Sequence, residues 1–230
     1  MRDEGIFPNS ITYIYMLRAC GITGCIEIGE DIELEVQRRG LLQKDTVLCT
    51  ALIGMYIKCG ALEKARKIFN QLQIKHVSSW TTLIAGYTEH GLGDEALKCF
   101  SQMQDEGVYP NNITFISILD AFGNQAALIE GHAIHAHIVE TEPVEVDLEV
   151  GNAIVSLYGK CGCLEDAHRV FDRMPEKNVI TWTTMISSYS QYGMGKKAYK
   201  LYQRMQGAGM KPNRVTLLSV LTACSHAGLI

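Results

Sequence analysis

Three histidines lie close together in the chain, at His132, His135 and His137. Imidazole nitrogens are common zinc ligands, and a metal centre with catalytic use would need them to converge on one point. At these spacings the three rings do not share one face of a helix with a carboxylate. The cluster therefore predicts no metal site.

Two other patterns also look chemical. Cys161-Gly-Cys163 has one residue between its thiols, which is shorter than the usual spacing of a zinc knuckle. Asn112-Ile-Thr114 has the form of a glycosylation sequon. Most of the eight cysteines lie inside helical patterns, as Cys20, Cys99 and Cys224 do, which is typical of buried thiols in a reducing compartment. We expect no disulfide framework, no glycosylation and no cofactor.

The composition limits the ways in which the chain could bind a partner. Its 230 residues are 47% hydrophobic, which is ample for a buried core, and its net charge is −4. Proteins that hold nucleic acid mainly through phosphates are normally basic. Binding to nucleic acid would therefore depend on base contacts and a local basic stripe. No run of about 18 apolar residues occurs, so we expect no membrane partner.

The elements that position these residues follow from an internal repeat. When the sequence is shifted by 102 residues, Met55–Phe69 falls on Leu157–Phe171 with 8 of 15 positions identical. Ser78–Gly91 likewise falls on Ile180–Gly193, and Gly107–Leu119 falls on Gly209–Leu221. Each period divides into three related repeats. The boundaries that we predict are 10–45, 46–76, 77–111, 112–147, 148–178 and 179–213, with partial repeats at 1–9 and 214–230.

Each repeat reads as two helices. Trp80, Leu83, Ile84 and Tyr87 form an apolar stripe of helical period, and Ala96, Leu97, Phe100 and Met103 form a second one. Gly91 separates the two helices, Asp94 is a candidate N-cap, and Pro110 ends the repeat. Two helices of about 12 residues cannot bury their stripes alone, so neighbouring repeats must stack. We predict an all-α fold, an α-solenoid superhelix of antiparallel helix pairs with about thirteen helices. Its tryptophans should pack between helices.

The residues resemble the pentatricopeptide-repeat (PPR) family. Val-x-x-Trp-Thr-Thr-Leu-Ile opens the 35-residue repeat at Val77, and Gly-x-x-Pro-Asn closes it at Gly107–Asn111. The alternation of 35, 36 and 31 residues resembles the P, L and S repeats of the plant PLS subclass. Ala51–Gly60 and Arg169–Glu176 resemble S-repeat phrases, and Leu221–Leu229 resembles the start of an L repeat. The repeats at 10–45, 112–147 and 214–230 are then L, those at 46–76 and 148–178 are S, and the others are P.

The resemblance implies a function that the residues alone do not. Members of this family bind single-stranded RNA in the mitochondrion or chloroplast, one base per repeat, and PLS members mostly specify cytidine-to-uridine editing sites. The chain lacks the His-x-Glu and Cys ligand set of a zinc deaminase, so we expect it to be no enzyme. Because it begins inside a repeat, we expect a piece of a longer protein, whose targeting peptide could lie outside it.

The resemblance also implies which residues contact RNA. The fifth and last residues of a PPR repeat read one base, and here these pairs are Thr50 with His76, Thr81 with Asn111, Asn152 with Asn178, and Thr183 with Asn213. Thr with Asn implies adenine, Asn with Asn implies a pyrimidine, and Thr with His departs from the usual combinations. The L repeats carry Ile14 with Asp45 and Ile116 with Asp147, and an isoleucine cannot hydrogen-bond a base.

Other positions are implied in the same way. Apolar second residues wedge between bases in this family, which indicates Val47 and Ile180, whereas Ser78 and Glu149 stand at that position in other repeats. The thirteenth residues, Lys58 and Lys160, would contact phosphate.

Two alternatives stay open. Asn111 and Asn213 follow prolines and precede helices, where Asn is also favoured as an N-cap. The whole array could instead be a scaffold for protein–protein interaction, which the negative charge mildly favours. A combination is also possible, in which the L repeats bind organellar editing cofactor proteins and the other repeats bind RNA.

Overall fold

The structure, a computed structural model, describes residues 8–42, 44–141 and 147–226. Within these ranges it contains thirteen α-helices and no strand, which confirms the all-α helical-repeat fold. The helices are α1 Ser10–Thr23, α2 Ile26–Arg38, α3 Thr46–Lys58, α4 Leu62–Gln71, α5 Val77–Glu89, α6 Gly93–Asp105, α7 Asn112–Gln125, α8 Leu128–Thr141, α9 Leu148–Lys160, α10 Leu164–Arg173, α11 Val179–Gln191, α12 Gly195–Gly207 and α13 Arg214–His226. Seven residues of the predicted repeat tail over 1–9, and the last four of the repeat over 214–230, lie outside the described residues.

The chain divides into two compact halves, Met1–Ile118 and Leu119–Ile230. In the N-terminal half the odd-numbered helices pack side by side, α1 against α3 and α3 against α5. In the C-terminal half, α9 packs against α11 and α11 against α13 in the same way. We call these odd-numbered helices the first helices, because each opens a predicted repeat.

The even-numbered, or second, helices form another layer in each half. Helix α2 packs against α1 and α3, and α4 against α3 and α5. In the C-terminal half, α10 packs against α9 and α11, and α12 against α11 and α13. Each of these four second helices thereby covers the seam between two first helices. This arrangement buries the apolar stripes of both layers, which a single helix pair could not do.

The core consists of the stripes that the sequence predicts. Trp80 is fully buried and its ring lies edge-on to Phe69, with 4.5 Å between the ring centroids. Trp182 and Phe171 repeat that contact in the C-terminal half at 4.9 Å. The prediction that the tryptophans pack between helices is confirmed, and aromatic pairs of this kind are worth about 0.5–1.5 kcal/mol beyond the buried area.

Two local predictions are wrong. Helix α6 begins at Gly93 with Leu92 at the N-cap position, so Asp94 lies in the first turn and not at the cap. A carboxylate there still interacts favourably with the positive end of the helix dipole. Cys20 and Cys99 are buried as expected, but Cys224 is only half-buried. No helix among the described residues is both long and apolar enough to cross a bilayer.

Candidate nucleic-acid interface

The last residue of every predicted repeat except 46–76 caps, with its side chain, the first helix that follows it. Asn111 Oδ1 accepts the backbone N–H of Thr114 at 2.9 Å, and Asn213 Oδ1 accepts that of Thr216 at 2.8 Å. Asn178 forms a full capping box with Thr181 at the start of α11. Each bond satisfies one of the free N–H groups at a helix start. The capping role that was left open for Asn111 and Asn213 is therefore present in the structure.

The aspartates at the ends of the L repeats have the same position. Asp45 accepts the backbone N–H of Leu48 at 3.0 Å, and Asp147 accepts that of Glu149 at 2.8 Å. His76 differs, because its side chain makes no capping bond at the start of α5. Its backbone carbonyl instead accepts the hydroxyl of Ser79 at 2.8 Å.

A shared hydrogen-bond network brings together the predicted pair Thr81 and Asn111. Their side chains are 3.4 Å apart, measured from Thr81 Oγ1 to Asn111 Oδ1. Thr114, the third residue of the next repeat, completes the network: its Oγ1 lies 2.7 Å from that of Thr81 and 2.9 Å from Asn111 Oδ1. Thr81 is only 7% exposed, so its side chain is largely buried beneath the surface.

The pair Thr183 and Asn213 is joined through Thr216 in the same way. The hydroxyl oxygens of Thr183 and Thr216 are 2.6 Å apart, and Thr216 Oγ1 donates to Asn213 Oδ1 at 2.9 Å. Thr183 also borders a groove of about 220 Å³ on the first helices, together with Lys160, Ser187 and Val215. The two predicted adenine repeats therefore present the same chemistry in separate halves of the chain.

The Asn152 and Asn178 pair is different. The Oδ1 atom of Asn152 is buried and has no hydrogen-bond partner among the described residues. An acceptor without a partner costs free energy unless a ligand or water satisfies it. Asn178 Oδ1 is used by the capping box, where it accepts the backbone N–H groups of Ile180 and Thr181, both at 3.0 Å.

Thr50 and His76 do not form a hydrogen-bonded pair like Thr81 and Asn111. Thr50 Oγ1 donates to the carbonyl of Thr46 at 2.8 Å, one turn back in α3. Thr50 borders a groove of about 400 Å³ with Val47 and Lys58, whereas His76 is exposed and borders a different one. In the described part of the chain no hydrogen bond joins the two side chains. The repeat over 46–76 thus lacks the shared hydrogen-bond network seen at Thr81 and Thr183.

The predicted wedge residues are exposed. Val47 is 65% exposed and Ile180 is 56% exposed. The sequence reasoning missed three further apolar residues at the same second position, in L repeats, that are exposed to a similar degree: Ile11, Ile113 and Val215. The 102-residue shift, which places Ile113 on Val215, was the signal that could have found them.

The two predicted phosphate-binding lysines have different surroundings. Lys58 is exposed and borders the groove next to Thr50. Lys160 Nζ lies 3.3 Å from Asp120 Oδ1 and 2.9 Å from Asn124 Oδ1, so its charge is partly used within the protein. In both cases the lysine stem packs over a glycine of the neighbouring first helix, Gly21 for Lys58 and Gly123 for Lys160.

The isoleucines of the L-repeat pairs, Ile14 and Ile116, are half-buried. They offer no hydrogen bond to a base.

The histidine cluster lies at the second helices. His132 Nδ1 and His135 Nδ1 both lie 2.9 Å from the hydroxyl of Tyr158, at a cavity of about 510 Å³. Burial lowers the pKa of His135 and raises that of Tyr158 to about 12, so both are neutral at pH 7. Among the described residues, no three His, Cys, Asp or Glu side chains are placed so that they could hold one metal ion.

The sequence matches known repeats over much of its length. The family described as "PPR repeat family" matches residues 75–124 and 177–226, and "PPR repeat" matches residues 47–77 and 152–179. The chain is 38% identical, over its whole length, to the chloroplastic pentatricopeptide repeat-containing protein CRR2 of Arabidopsis thaliana. It is 37% identical to a mitochondrial pentatricopeptide repeat-containing protein of the same plant. The chain spans 36% and 35% of these two proteins.

The fold also has a solved counterpart. The structure of the pentatricopeptide repeat protein PPR10, in complex with an 18-nucleotide psaJ RNA element, matches 99% of this chain with a TM-score of 0.77 and 22% identity. The chain covers 34% of that protein. From the repeat matches, which together include more than half of the residues, the chain belongs to the pentatricopeptide-repeat family.

Proposed function

We propose that this chain is a sequence-specific, single-stranded RNA-binding module that reads one base per repeat. One observation carries the proposal: the networks around Thr81 with Asn111 and Thr183 with Asn213 are alike, and they recur 102 residues apart on first helices. Each cap uses the Oδ1 of its asparagine and leaves the amide nitrogen to donate to a ligand. A helix cap alone needs no threonine at the fifth position.

The surface between the reading positions suits bases better than a phosphate backbone. Exposed apolar side chains at the second position of five repeats can pack against unstacked bases of a single strand; they are Ile11, Val47, Ile113, Ile180 and Val215. The net charge of −4 disfavours binding driven by phosphates. That PPR10 is solved with an RNA element supports the same reading for a chain of this fold.

The proposal extends to the biological task. The repeat lengths resemble those of the PLS subclass, so we infer that the bound RNA is a transcript of the mitochondrion or chloroplast and that the module specifies a C-to-U editing site. The organelles in the names of the relatives support this location. Editing cofactor proteins would bind the L repeats, where second helices α2 and α8 expose Leu34 and Ile129, 51% and 81% respectively.

The experiment is to select, from a randomised single-stranded RNA pool, the RNAs that bind the 230-residue chain. With the N-terminal repeat toward the 5′ end of the RNA, the five repeats from Thr46 onward should select the sequence n-A-n-Y-A. Here n is any base and Y is a pyrimidine. The adenines lie opposite repeats 77–111 and 179–213, and the pyrimidine lies opposite 148–178. A pool recovered without any enriched base would leave a protein–protein scaffold as the function of this array.

A further inference from the structure

The orientation of the Asn111 amide is fixed by the backbone. The N–H of Thr114 can only donate, so the Asn111 atom 2.9 Å away must be the oxygen. The amide nitrogen then occupies the other branch of the side chain. Asn111 can therefore present a donor to a ligand, and its acceptor is already used.

The two hydroxyl protons of the network can be assigned by counting. Thr114 Oγ1 lies 2.9 Å from Asn111 Oδ1, which only accepts, so Thr114 donates its single proton there. Thr114 then accepts the proton of Thr81 across 2.7 Å. If the order were reversed, Thr81 would donate to Asn111 Oδ1 at 3.4 Å. In both arrangements the Thr81 hydroxyl donates its hydrogen bond within the protein. Thr81 can therefore act toward a base only as an acceptor.

We propose that Thr114 is a specificity-determining residue for the base opposite repeat 77–111, although it belongs to the next repeat. By accepting the hydrogen bond that the Thr81 hydroxyl donates, it makes the pair an acceptor at Thr81 and a donor at Asn111. The edge of adenine is complementary, with a 6-amino donor beside the N1 acceptor, and cytosine has the same order. Guanine and uracil place an oxo acceptor beside an N–H donor and are mismatched. This inference rests on the proposed RNA-binding function.

The C-terminal half contains an independent copy of the device. Thr216 is fully buried, donates to Asn213 Oδ1 and faces the hydroxyl of Thr183 at 2.6 Å. The position therefore sets the same amino-base preference for the repeat over 179–213.

The repeat over 148–178 has no threonine at the fifth position, and it lacks the hydrogen bond between the fifth residue and the third-position threonine of the next repeat. Its last residue, Asn178, also accepts at Oδ1 a hydrogen bond from the hydroxyl of a third-position threonine, Thr181, at 3.1 Å. The fifth residue is Asn152, which takes no part in that hydrogen-bond network. Thr181 thus has the capping bond of Thr114 without the link to a base-reading hydroxyl, and it is a matched control.

The test uses hypoxanthine, which has the size of adenine and the opposite polarity at positions 1 and 6. Two short RNAs carry adenine or hypoxanthine opposite repeat 77–111 and compete for the 230-residue chain. The original protein should favour adenine roughly tenfold, because hypoxanthine leaves polar groups unpaired. Thr114→Val frees the Thr81 proton for the 6-oxo group, so the preference should fall about fivefold. Thr114→Ser should retain it, and Thr181→Val should leave it unchanged.

Each outcome separates this inference from the proposed function. An original protein that binds RNA without preferring any base at this position would overturn the proposed function. A preference for adenine that survives in a folded Thr114→Val protein overturns the role of Thr114 alone. If circular dichroism shows that Thr114→Val is unfolded, Thr216→Val with the base opposite repeat 179–213 decides the same question.

Discussion

Ile57 on α3 fills the space that a side chain at Gly86 on α5 would need. A Cβ on Gly86 would lie 2.5 Å from Ile57 Cδ1 and under 3 Å from two more of its atoms. At the equivalent place in the C-terminal half the sizes are reversed, since Gly159 replaces isoleucine and Ser188 replaces glycine. There a Cβ on Gly159 would overlap Ser188 Oγ. At this contact between neighbouring first helices, a larger side chain on one helix therefore requires a glycine on the other.

Gly86→Ala should destabilise the protein by about 1–3 kcal/mol, because the methyl group overpacks a core interface. Urea denaturation followed by circular dichroism measures this change. Gly54→Ala is the matched control: a Cβ there meets only Thr82 Cγ2 at 3.8 Å, so the gain in helix propensity, up to ~1 kcal/mol, should dominate. Equal effects of the two alanines would contradict the packing argument.

The base-reading pair should be exchangeable. Thr81→Asn together with Asn111→Asp keeps a capping side chain and presents the pair that the family's code assigns to uracil. The preference between adenine and uracil opposite repeat 77–111 should shift by about 1–2 kcal/mol. Competition between two short RNAs that differ at that base measures it, with the base opposite repeat 148–178 as the internal control. An unchanged preference would mean that the pair only caps the helix.

A capping side chain at the start of α5 should increase the stability of the fold. His76 has extended backbone angles, φ −78° and ψ 160°, which suit an N-cap, but its side chain makes no capping bond. His76→Asn should accept the N–H of Ser79 and stabilise the fold by about 1 kcal/mol. The reverse control is Asn178→Ala, which removes a capping box and should cost a similar amount. Thermal denaturation of both variants would show whether the two changes have opposite signs.

The salt dependence of RNA binding should be shallow. Each phosphate contact contributes roughly 0.7 to the slope of log K against log salt for a single strand. Lys58→Gln should lower the slope by about that amount, and Lys160→Gln by less, because Asp120 already partners Lys160. Affinities measured from low to high salt test this. A slope equivalent to eight or more phosphates would show that charge, and not base contact, dominates.

The fold should lose stability below neutral pH through His135. Burial, and secondly the nearby His132, lower its pKa in the folded chain, while Asp166 partly offsets them. The unfolded chain then binds the proton more readily. Stability therefore falls as the pH drops through the ordinary histidine value of 6.5, and it levels off once the folded form is protonated too. His135→Asn should show a smaller fall in urea midpoint between pH 8 and pH 5. Parallel curves for the two proteins would exclude this residue as the cause.

Local structure could be predicted from the sequence because its causes are local. The stripes at Trp80 and Trp182 have helical period, and α5 and α11 begin at Val77 and Val179, where the repeated motif opens. Helix starts depend on a capping side chain and the next three residues. The wrong N-cap prediction at Asp94 is also a local error, because the end of a helix can shift by a residue or two without changing the fold.

The chemistry of the site was decided by packing between neighbouring first helices. Thr81 meets Thr114 across 33 positions, and Lys160 meets Asp120 across 40. Such contacts depend on the rotamers and spacing of helices that the sequence places far apart, so no local pattern reveals them. The sequence by itself determined the helices, their repeat and the polar residues at its ends. Only the tertiary structure decided that the Thr81 hydroxyl would be hydrogen-bonded to that of Thr114, while the Asn152 side-chain oxygen would be an acceptor without a partner among the described residues.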